Sequence, residues 1–325
     1  MTYNPLFLLP PELAHKTALT CLKTGLVPPV KIKDRHKVSL LGKTWRNPVG
    51  AAAGMDKDGE ALTGWKSLGF GFIEAGTVVP VPRKGNPKPR VWRFTKQNSL
   101  VNWLGFPSRG PQTLEHNIRH FRKKNPKTDF RIGISIASVE GNAEDFSALA
   151  RRFGSLADYM TLNISCPNTG KEQAALDAMS AQIKAVSQAA PDCPLLVKLG
   201  PTHEESVLQT FVSGGLDAGA SGFVATNTVP PEKKHLLENR DFDWPRHEGR
   251  EVGGYSGPQL LDISTWMIRR IRQIAGPDIP LIGVGGIQCG TDARRMLDSG
   301  ADAVQLYTGL IYSGPGIVSE ILDAL

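Results

Sequence analysis

Short apolar runs alternate with longer amphipathic stretches along most of the chain. Each run is rich in valine, isoleucine, leucine or phenylalanine and is bounded by turn-forming residues, which is the pattern of a buried strand. The stretches between the runs repeat apolar residues every three or four positions, as a helix packed on a sheet does. Eight such runs follow one another, at residues 48–52, 72–75, 132–136, 160–164, 195–198, 222–226, 281–284 and 303–306.

Eight strands separated by helices predict an α/β fold, a (β/α)8 TIM barrel. The clearest intervening helices are expected at residues 143–153, 173–190, 206–218, 260–275 and 291–299. A doubly wound sheet is the alternative, but the G-x-G-x-x-G fingerprint typical of that fold does not follow the first run. We therefore assign residues 39–325 to a barrel, whose active site is expected at the C-terminal ends of the strands.

The first 38 residues show a different pattern, and we expect residues 1–38 to form a small helical segment of their own. Pro11 and Glu12 suit the first turn of a helix, and apolar positions then recur at helical spacing up to Gly25. Two placements fit this amphipathic helix. It packs its apolar stripe on the barrel, or it lies with the apolar residues 6–9 in a membrane interface.

The net charge of +7 is concentrated at the N-terminus. Residues 1–46 contain eight lysines and arginines against two acidic residues. A basic arm suits an anionic membrane surface or nucleic acid, or is simply solvated, and charge alone does not distinguish these. The composition as a whole, 40% hydrophobic and 21% charged, is typical of a soluble globular protein, and no apolar run approaches the ~20 residues of a transmembrane helix.

Cysteine and histidine usage bears on the kinds of site the chain could hold. The four cysteines are far apart and lack C-x-x-C spacing, so we expect neither a zinc site nor a disulfide framework. With no secretory signal, this usage predicts a cytoplasmic protein. The seven histidines lie in predicted helices and loops, none at a strand end, and we expect all of them to be solvated.

The most reactive candidate lies just after the fourth run. Cys166 stands between the side-chain amides of Asn163 and Asn168, in a loop interrupted by Pro167 and Gly170. A proton-transfer site on a small polar ring needs a base with donors and acceptors beside it, and α/β barrels place such chemistry at strand ends. Cys166 is therefore our candidate catalytic residue. The alternative is an inert buried cysteine, which is the usual state of a free thiol.

Polar or small residues end the other runs as well. In strand order they are Gly54 and Lys57, Thr77, Ser135, Lys198, Thr226 to Thr228, Gly285 and Gly286, and Tyr307 and Thr308. The last two groups place backbone N–H groups where barrels commonly bind a phosphate. A phosphate at one side of the pocket and two lysines nearer its centre predict a phosphorylated cofactor whose ring needs positive charge beside it, and FMN fits.

Several motifs in this order resemble those of the dihydroorotate dehydrogenases, the FMN enzymes of pyrimidine (UMP) biosynthesis. The resemblance runs nearly end to end and is closest to class 2, the membrane-associated, quinone-reducing enzymes. The matching motifs are Pro11-Glu12-x-Ala14-His15, Asn47-Pro48-Val49-Gly50, Ala52-Ala53-Gly54-x-Asp56-Lys57, Gly76-Thr77-Val78, Gly85-Asn86-x-Lys88-Pro89-Arg90, Asn102-x-x-Gly105-Phe106, Asn163-x-Ser165-x-Pro167-Asn168-Thr169, Ala225-Thr226-Asn227-Thr228 and Gly283-Val284-Gly285-Gly286-Ile287.

The resemblance implies a role for each matching residue. The residues implied in FMN binding are Ala53, Gly54, Lys57, Thr77, Ser135, Asn163, Lys198, Thr226, Gly257, Gly286, Tyr307 and Thr308. Those implied around dihydroorotate are Lys57, Asn102, Trp103, Leu104, Gly105, Phe106, Asn163, Asn168, Asn227 and Thr228. Cys166 occupies the position of the base that takes the C5 proton while hydride leaves C6. The implied electron acceptor is a membrane quinone, and the implied location is the inner face of the cytoplasmic membrane, with no nucleic-acid partner and no metal.

Three positions depart from the class 2 pattern. Class 2 enzymes carry serine where Cys166 stands, and cysteine there is the habit of the soluble class 1 enzymes. Ser135 replaces an asparagine, and Trp103 replaces an arginine. Three alternatives therefore stay open: a dihydroorotate dehydrogenase that uses fumarate or NAD, a flavin barrel similar to the dihydrouridine synthases, and a catalytically silent relative that binds flavin or orotate.

Overall fold

The computed structural model describes residues 5–27, 29–164, 172–237 and 242–325. Within these ranges the strands, numbered in chain order, are β1 (Val38–Leu40), β2 (Lys43–Trp45), β3 (Val49–Ala51), β4 (Phe72–Val78), β5 (Val91–Phe94), β6 (Ser99–Asn102), β7 (Arg131–Ile136), β8 (Tyr159–Asn163), β9 (Leu195–Leu199), β10 (Gly222–Ala225), β11 (Arg246–His247), β12 (Arg250–Glu251), β13 (Gly254–Ser256), β14 (Leu281–Val284) and β15 (Ala303–Leu306).

The helices in the same ranges are α1 (Pro11–Lys23), α2 (Leu62–Ser67), α3 (Pro111–Lys124), α4 (Ala143–Phe153), α5 (Glu172–Ala189), α6 (Glu205–Asp217), α7 (Leu261–Ala275), α8 (Gly290–Asp298), α9 (Thr308–Ser313) and α10 (Ile317–Ala324). The five barrel helices expected from periodicity are all present within one residue of the predicted ends. Helix α3 was not singled out, although it buries an apolar stripe of Leu114, Ile118 and Phe121 at helical spacing.

Eight parallel strands close into a barrel, which confirms the predicted TIM fold. Their order around the barrel is β3, β4, β7, β8, β9, β10, β14 and β15, and β15 pairs with β3 to complete the ring. All eight predicted apolar runs are these eight strands. Because parallel strands end at one rim, the polar residues that follow them meet at one mouth.

The barrel interior changes character from its floor to its mouth. Strand alternation points every second residue inward. From the floor upward the inward residues form four layers, namely Phe72, Tyr159 and Ala303; Gly50, Gly133, Leu196 and Ile282; Glu74, Thr161, Val224 and Gln305; and Ala52, Ser135, Lys198 and Val284. The lower two layers are apolar, whereas the upper two carry polar and charged side chains.

Two glycines in the interior make room for aromatic rings. A Cβ on Gly50 would lie 2.3 Å from the ring of Phe72, and a Cβ on Gly133 would lie 2.1 Å from that of Tyr159. The ring of Trp45, from the β1–β2 hairpin, packs 4.7 Å from Phe72 and 5.7 Å from Tyr159 between ring centroids. This hairpin therefore closes the floor with an apolar plug.

Two arginine–aspartate pairs fix the floor on opposite sides of the barrel. Asp158 precedes β8 and accepts hydrogen bonds from Arg122 of α3 at 2.8 Å and from an N–H of β7 at 2.8 Å. Asp302 precedes β15 and accepts from Arg272 of α7 at 2.9 Å and from an N–H of β14 at 2.7 Å. Each pair thus joins a helix to the strand that follows it in the chain and to the next strand of the barrel.

The N-terminal helix lies beside α2 and β5 with only part of its apolar face in contact with the barrel. Ala14 and Leu22 are buried, whereas Leu8 and Leu26, just outside the helix, are 75% and 76% exposed. The division of the chain at residue 38 stays a prediction. None of the helices in the described ranges combines the length and hydropathy that crossing a bilayer requires.

The two long connections after β4 and β10 meet over the barrel mouth. Strands β5 and β6 come from the first connection and β13 from the end of the second, and the three form an antiparallel sheet. Asn102 pairs with Gly254, and Leu100 pairs with Ser256. Residues more than 150 positions apart are thereby held side by side at the entrance of the barrel.

Candidate active site

A cavity of about 450 Å3 opens at the C-terminal ends of the barrel strands. Its volume lies in the range of small-molecule sites. Nearly all of the residues singled out in the sequence line it, namely Ala53, Gly54, Lys57, Thr77, Asn102, Trp103, Leu104, Gly105, Phe106, Asn163, Lys198, Thr226, Asn227, Thr228, Gly257, Gly286, Tyr307 and Thr308. The structure therefore brings together residues from the mouth of the barrel and from the sheet above it.

A chain of amide and hydroxyl groups crosses one wall of the cavity. The Asn163 side-chain amide donates to the Thr77 hydroxyl at 3.0 Å and accepts from the Asn227 amide at 3.2 Å. Asn227 in turn accepts from the backbone N–H of Thr228 at 2.9 Å. These contacts hold both asparagines in one orientation, so the wall offers fixed donors and acceptors to a planar polar ligand.

Ser135 does not line this cavity. It lies fully buried behind Thr77, with the two hydroxyl oxygens 2.9 Å apart. A direct contact of Ser135 with a cofactor stays a prediction that this geometry does not favour. Cys166 and Asn168 lie outside the described residues.

Two buried lysines carry the positive charge of the site. Lys57 Nζ donates to the carbonyl of Gly54 at 2.7 Å, and burial lowers the pKa of Lys57 to about 8, although the carboxylates of Asp58 and Asp56 raise it. Lys198 projects from β9 into the floor of the cavity. Burial lowers the pKa of Lys198 as well, while the charge of Glu74 raises it.

Glycine backbone shapes the far side of the cavity. Gly285 and Gly286 adopt φ angles of +113° and +90°, and a Cβ on Gly286 would lie 2.3 Å from the backbone nitrogen of Leu261. A Cβ on Gly309, at the start of α9, would lie 2.1 Å from a backbone oxygen. Only glycine fits at these positions, and all three glycines line the cavity, where backbone N–H groups could bind a phosphate.

A second, apolar cavity of about 770 Å3 lies between α1 and the barrel. Its walls include Ala14, Ala18 and Leu19 from the helix, and Leu310 from α9. The residues that line both cavities are Lys57, Asn102, Leu104, Pro107, Ser256 and Tyr307. The two cavities are therefore separated by one layer of side chains.

An ion pair anchors the N-terminal helix at this second cavity. Arg90 donates to a carboxylate oxygen of Glu12 at 2.7 Å and to backbone oxygens of Lys84 and Asn86. Burial raises the pKa of Glu12, but the hydrogen bond and charge of Arg90 outweigh it and leave the pKa below its usual value. Arg90 thus joins α1 to the loop that covers the barrel mouth.

The expectation that every histidine is solvated is wrong for two of them. His36 is buried at the barrel floor, and His15 lines the apolar cavity. Burial lowers the pKa of His15 to about 4, and the charge of Lys57 lowers it further, so the imidazole is neutral at pH 7. His15 reaches the cavity through the docking of α1, which no strand end in the sequence indicates.

Comparison with known proteins identifies the family. The model of the dihydroorotate dehydrogenase family matches residues 35–325. The chain belongs to the dihydroorotate dehydrogenase family. A dihydroorotate dehydrogenase (quinone) of Mesorhizobium japonicum is 36% identical over 98% of this chain and 89% of its own length. The mitochondrial dihydroorotate dehydrogenase (quinone) of Mus musculus is also 36% identical, over 98% of this chain and 83% of its own.

Solved structures of the family share the fold. The crystal structure of DHODH from Eimeria tenella in complex with ferulenol superposes with a TM-score of 0.84 at 28% identity, and covers 97% of this chain and 90% of that one. The ligand-free form of the same protein gives a TM-score of 0.85. The resemblance to this family that the motifs predicted, with class 2 as the closest class, is confirmed.

Three family-site neighbours were missed from the sequence. Glu74 lies inside the barrel below the cavity, where Gln305 donates to it; Gln305 lines the cavity from β15, and Ser256 lines it from β13. The available signal for Glu74 was a carboxylate within an otherwise apolar strand, since such a residue is rarely buried without a partner. Ser256 immediately precedes Gly257, a residue that the resemblance had assigned to the site, and it reaches the cavity through the pairing of β13 with β6.

Proposed function

We propose that this protein oxidises dihydroorotate to orotate with FMN as the hydride acceptor, and that a membrane quinone takes the electrons in pyrimidine biosynthesis. One observation carries the proposal. A polar cavity with two buried lysines and an apolar cavity share Lys57 and Tyr307 as a common wall, in a chain of the dihydroorotate dehydrogenase family. A polar substrate and a lipophilic acceptor would each find a matching cavity.

The residues around the polar cavity fit FMN. Gln288 and Gln305 each leave a buried side-chain atom without a partner among the described residues, and both line the cavity. Buried polar atoms of this kind are normally satisfied by a ligand or by water. Gly286, Thr308 and the backbone around them would hold the phosphate, and Lys57 and Lys198 would lie beside the ring. When bound, FMN supplies a ring nitrogen that accepts hydride.

The amide-lined wall suits the flat, polar ring of dihydroorotate. Asn102, Asn163 and Asn227 would orient the ring, and the Lys57 ammonium would pair with its carboxylate. Cys166 follows β8, the strand that ends at Asn163, and its proposed role is to take the C5 proton. Hydride leaves C6 in the same oxidation, so the substrate loses one hydride and one proton and becomes orotate.

The apolar cavity suits a quinone. Its walls are mainly hydrophobic side chains, and it reaches Tyr307, whose pKa burial raises to about 12, so the phenol stays neutral. Leu8 and Leu26 are exposed in the segment that carries the excess positive charge, which favours attachment to an anionic membrane surface. We place the protein at the inner face of the cytoplasmic membrane on this ground.

The direct test is anaerobic reduction of the purified, FMN-loaded protein by dihydroorotate, followed as bleaching of the flavin absorbance. Wild type should bleach within seconds and regain colour on adding a long-chain quinone. Cys166→Ala should bind FMN with an unchanged spectrum but bleach at least about a hundredfold more slowly, since positioned acid–base groups contribute on that scale. Cys166→Ser should keep measurable activity with a shifted pH profile.

Each alternative function predicts a different outcome of this assay. Fast reoxidation by fumarate or NAD, with slow reoxidation by quinone, would point to a soluble acceptor. A flavin that dihydroorotate never bleaches would contradict the proposal and favour a silent relative or a barrel acting on another substrate. If Cys166→Ala bleaches at the wild-type rate, Cys166 is not the base, but the proposed oxidation of dihydroorotate by FMN is unaffected.

A further inference from the structure

A carboxylate lies inside the barrel, one layer below the floor of the active-site cavity. Glu74 projects from β4 and is fully buried. Its Oε2 accepts hydrogen bonds from the Thr161 hydroxyl at 2.9 Å, the Gln305 amide at 2.9 Å and the Tyr159 hydroxyl at 3.4 Å. TIM barrels ordinarily fill their interior layers with branched apolar residues. A buried carboxylate at this position is costly unless charge and hydrogen bonds offset its loss of hydration.

The positive charge opposite this carboxylate is Lys198. Lys198 belongs to the layer directly above and lines the cavity floor, where it would face the cofactor. Among the described residues, Lys57 and Tyr307 are titratable groups that line the same cavity, and Tyr159 contacts Glu74 from the floor side. Burial, together with the charge of Glu74, raises the pKa of Tyr159 well above its usual value, so it stays a neutral donor. Glu74 is thus the anion that offsets the buried ammonium.

Hydrogen bonds hold the Glu74 carboxylate in the layer directly below that of Lys198. Three donors hold Oε2, whereas Oε1 has no partner among the described residues. Gln305 donates to Glu74 and also lines the cavity, so it spans the distance between the carboxylate and the cofactor site. Burial of the pair away from water strengthens the attraction between carboxylate and ammonium.

We propose that Glu74 is a positioning residue for the redox reaction: it keeps the Lys198 ammonium charged at the cavity floor and thereby sets the reduction potential of bound FMN. The inference rests on the proposed function only in that FMN occupies the cavity. Reduced flavin carries negative charge, and a cation held beside it in a buried site stabilises that charge. Without Glu74, burial would favour the neutral amine of Lys198.

The test is the reduction potential of bound FMN as a function of pH, in wild type and in Glu74→Gln. A dye-mediated redox titration gives this potential without dihydroorotate, so the result does not depend on which substrate the enzyme oxidises. Where Lys198 is charged in both proteins, at low pH, loss of the Glu74 charge raises the potential. At higher pH the variant alone loses the ammonium, so its potential falls below wild type. Each unit by which the pKa of Lys198 falls enlarges its neutral fraction about tenfold.

The expected signature is therefore a difference between the two potentials that changes sign with pH. In a Lys198→Met background, Glu74→Gln should raise the potential by the same amount at every pH, because no ammonium is left to titrate. Tyr159→Phe is the matched control, because it removes a donor to Glu74 but no charge. The difference between its potential and that of wild type should keep one sign over the whole pH range. A difference that is constant with pH, or equal with and without Lys198, would overturn the proposal.

A second variant tests whether the effects of Glu74→Gln arise from misfolding of the barrel. If Glu74→Gln loses FMN, Glu74→Met combined with Thr161→Val replaces the buried polar pair by apolar groups of similar size, which cores often tolerate. This double variant should show the same change of sign. If both Glu74 variants fold without FMN while Lys198→Met retains it, the role of Glu74 is structural and the proposal is wrong. Failure of wild type to bind FMN would instead refute the proposed function.

Discussion

At the scale of single residues, the site depends on an amine, that of Lys57, whose pKa burial brings close to neutral pH. Lys57 is enclosed between the two cavities, and its pKa of about 8 lies well below the usual 10.5. The ammonium is therefore present below pH 8 and lost above it. Its counter-charges Asp56 and Asp58 come from the same segment, so the segment that supplies the lysine also limits how far its pKa falls.

Binding of orotate should follow the charge of Lys57. We expect the affinity of the FMN-loaded protein for orotate, measured by the shift of the flavin spectrum, to be constant from pH 6 to about 7.5. Above about pH 8 it should weaken by up to tenfold per unit, since only the ammonium pairs with the carboxylate. Lys57→Met should bind orotate about tenfold or more weakly at pH 7, the loss of a charge-assisted hydrogen bond. The affinity of this variant for orotate should not fall near pH 8. If the fall persists in Lys57→Met, another group causes it.

At the scale of elements, helices and strands are joined at the barrel floor by two similar ion pairs of unequal burial. The side chain of Asp158 is only 4% exposed and that of Asp302 is 36% exposed. Burial raises the pKa of Asp158, but Arg122 and the hydrogen bonds outweigh it, so the pKa lies below the usual 3.8. A carboxyl with a depressed pKa stabilises the fold above its unfolded pKa, and this stability is lost as pH falls through the folded value.

Asp158→Asn should therefore cost far more stability than Asp302→Asn. We expect a loss of about 3 kcal/mol in the free energy of unfolding for Asp158→Asn at pH 7, because three cations are left beside an uncharged, buried group. The more exposed pair should contribute about 1 kcal/mol or less. Urea midpoints at pH 7 would measure both, with FMN spectra as a control that the distant mouth is intact. The difference between the two losses of stability should narrow below pH 4, because the carboxylates become protonated. Equal losses at pH 7 would contradict the prediction.

At the scale of the whole molecule, the N-terminal helix forms one wall of the apolar cavity and the barrel forms the other. Ala18 faces that cavity, whereas Thr20, two residues later, is on the exposed face of the same helix. The Glu12–Arg90 ion pair fixes the helix relative to the loop over the barrel mouth. Access of a lipophilic acceptor to the flavin site therefore depends on how α1 packs against the barrel.

Filling the cavity should separate the two half-reactions. Ala18→Trp is expected to leave the rate of flavin reduction by dihydroorotate within about twofold of wild type. Reoxidation by a long-chain quinone should slow about tenfold or more, for which a steric cost of about 1.4 kcal/mol suffices. Thr20→Trp adds the same side chain on the solvent face and should change neither rate. Unaltered quinone turnover in Ala18→Trp would place the quinone site elsewhere.

The sequence by itself determined the barrel and most of the rim. Local periodicity marked all eight strands, because each buried strand must carry an apolar run bounded by turns. Lys57, Thr77 and Lys198 follow or end three of these strands, and they belong to one cavity because parallel strands in a barrel end at the same rim. Motif resemblance then extended the site to the loops that cover it, including Asn102 and Gly257.

Tertiary structure alone decided what lies between distant segments. Glu74 and Gln305 are 231 positions apart and meet only because the closed barrel points both inward at the same height. Ser256 reaches the mouth through the pairing of β13 with β6, and His15 reaches the apolar cavity because α1 stands off from the barrel. Local pattern depends on neighbours three or four residues away, whereas these contacts depend on strand register, closure and helix docking, which no single segment of the sequence specifies.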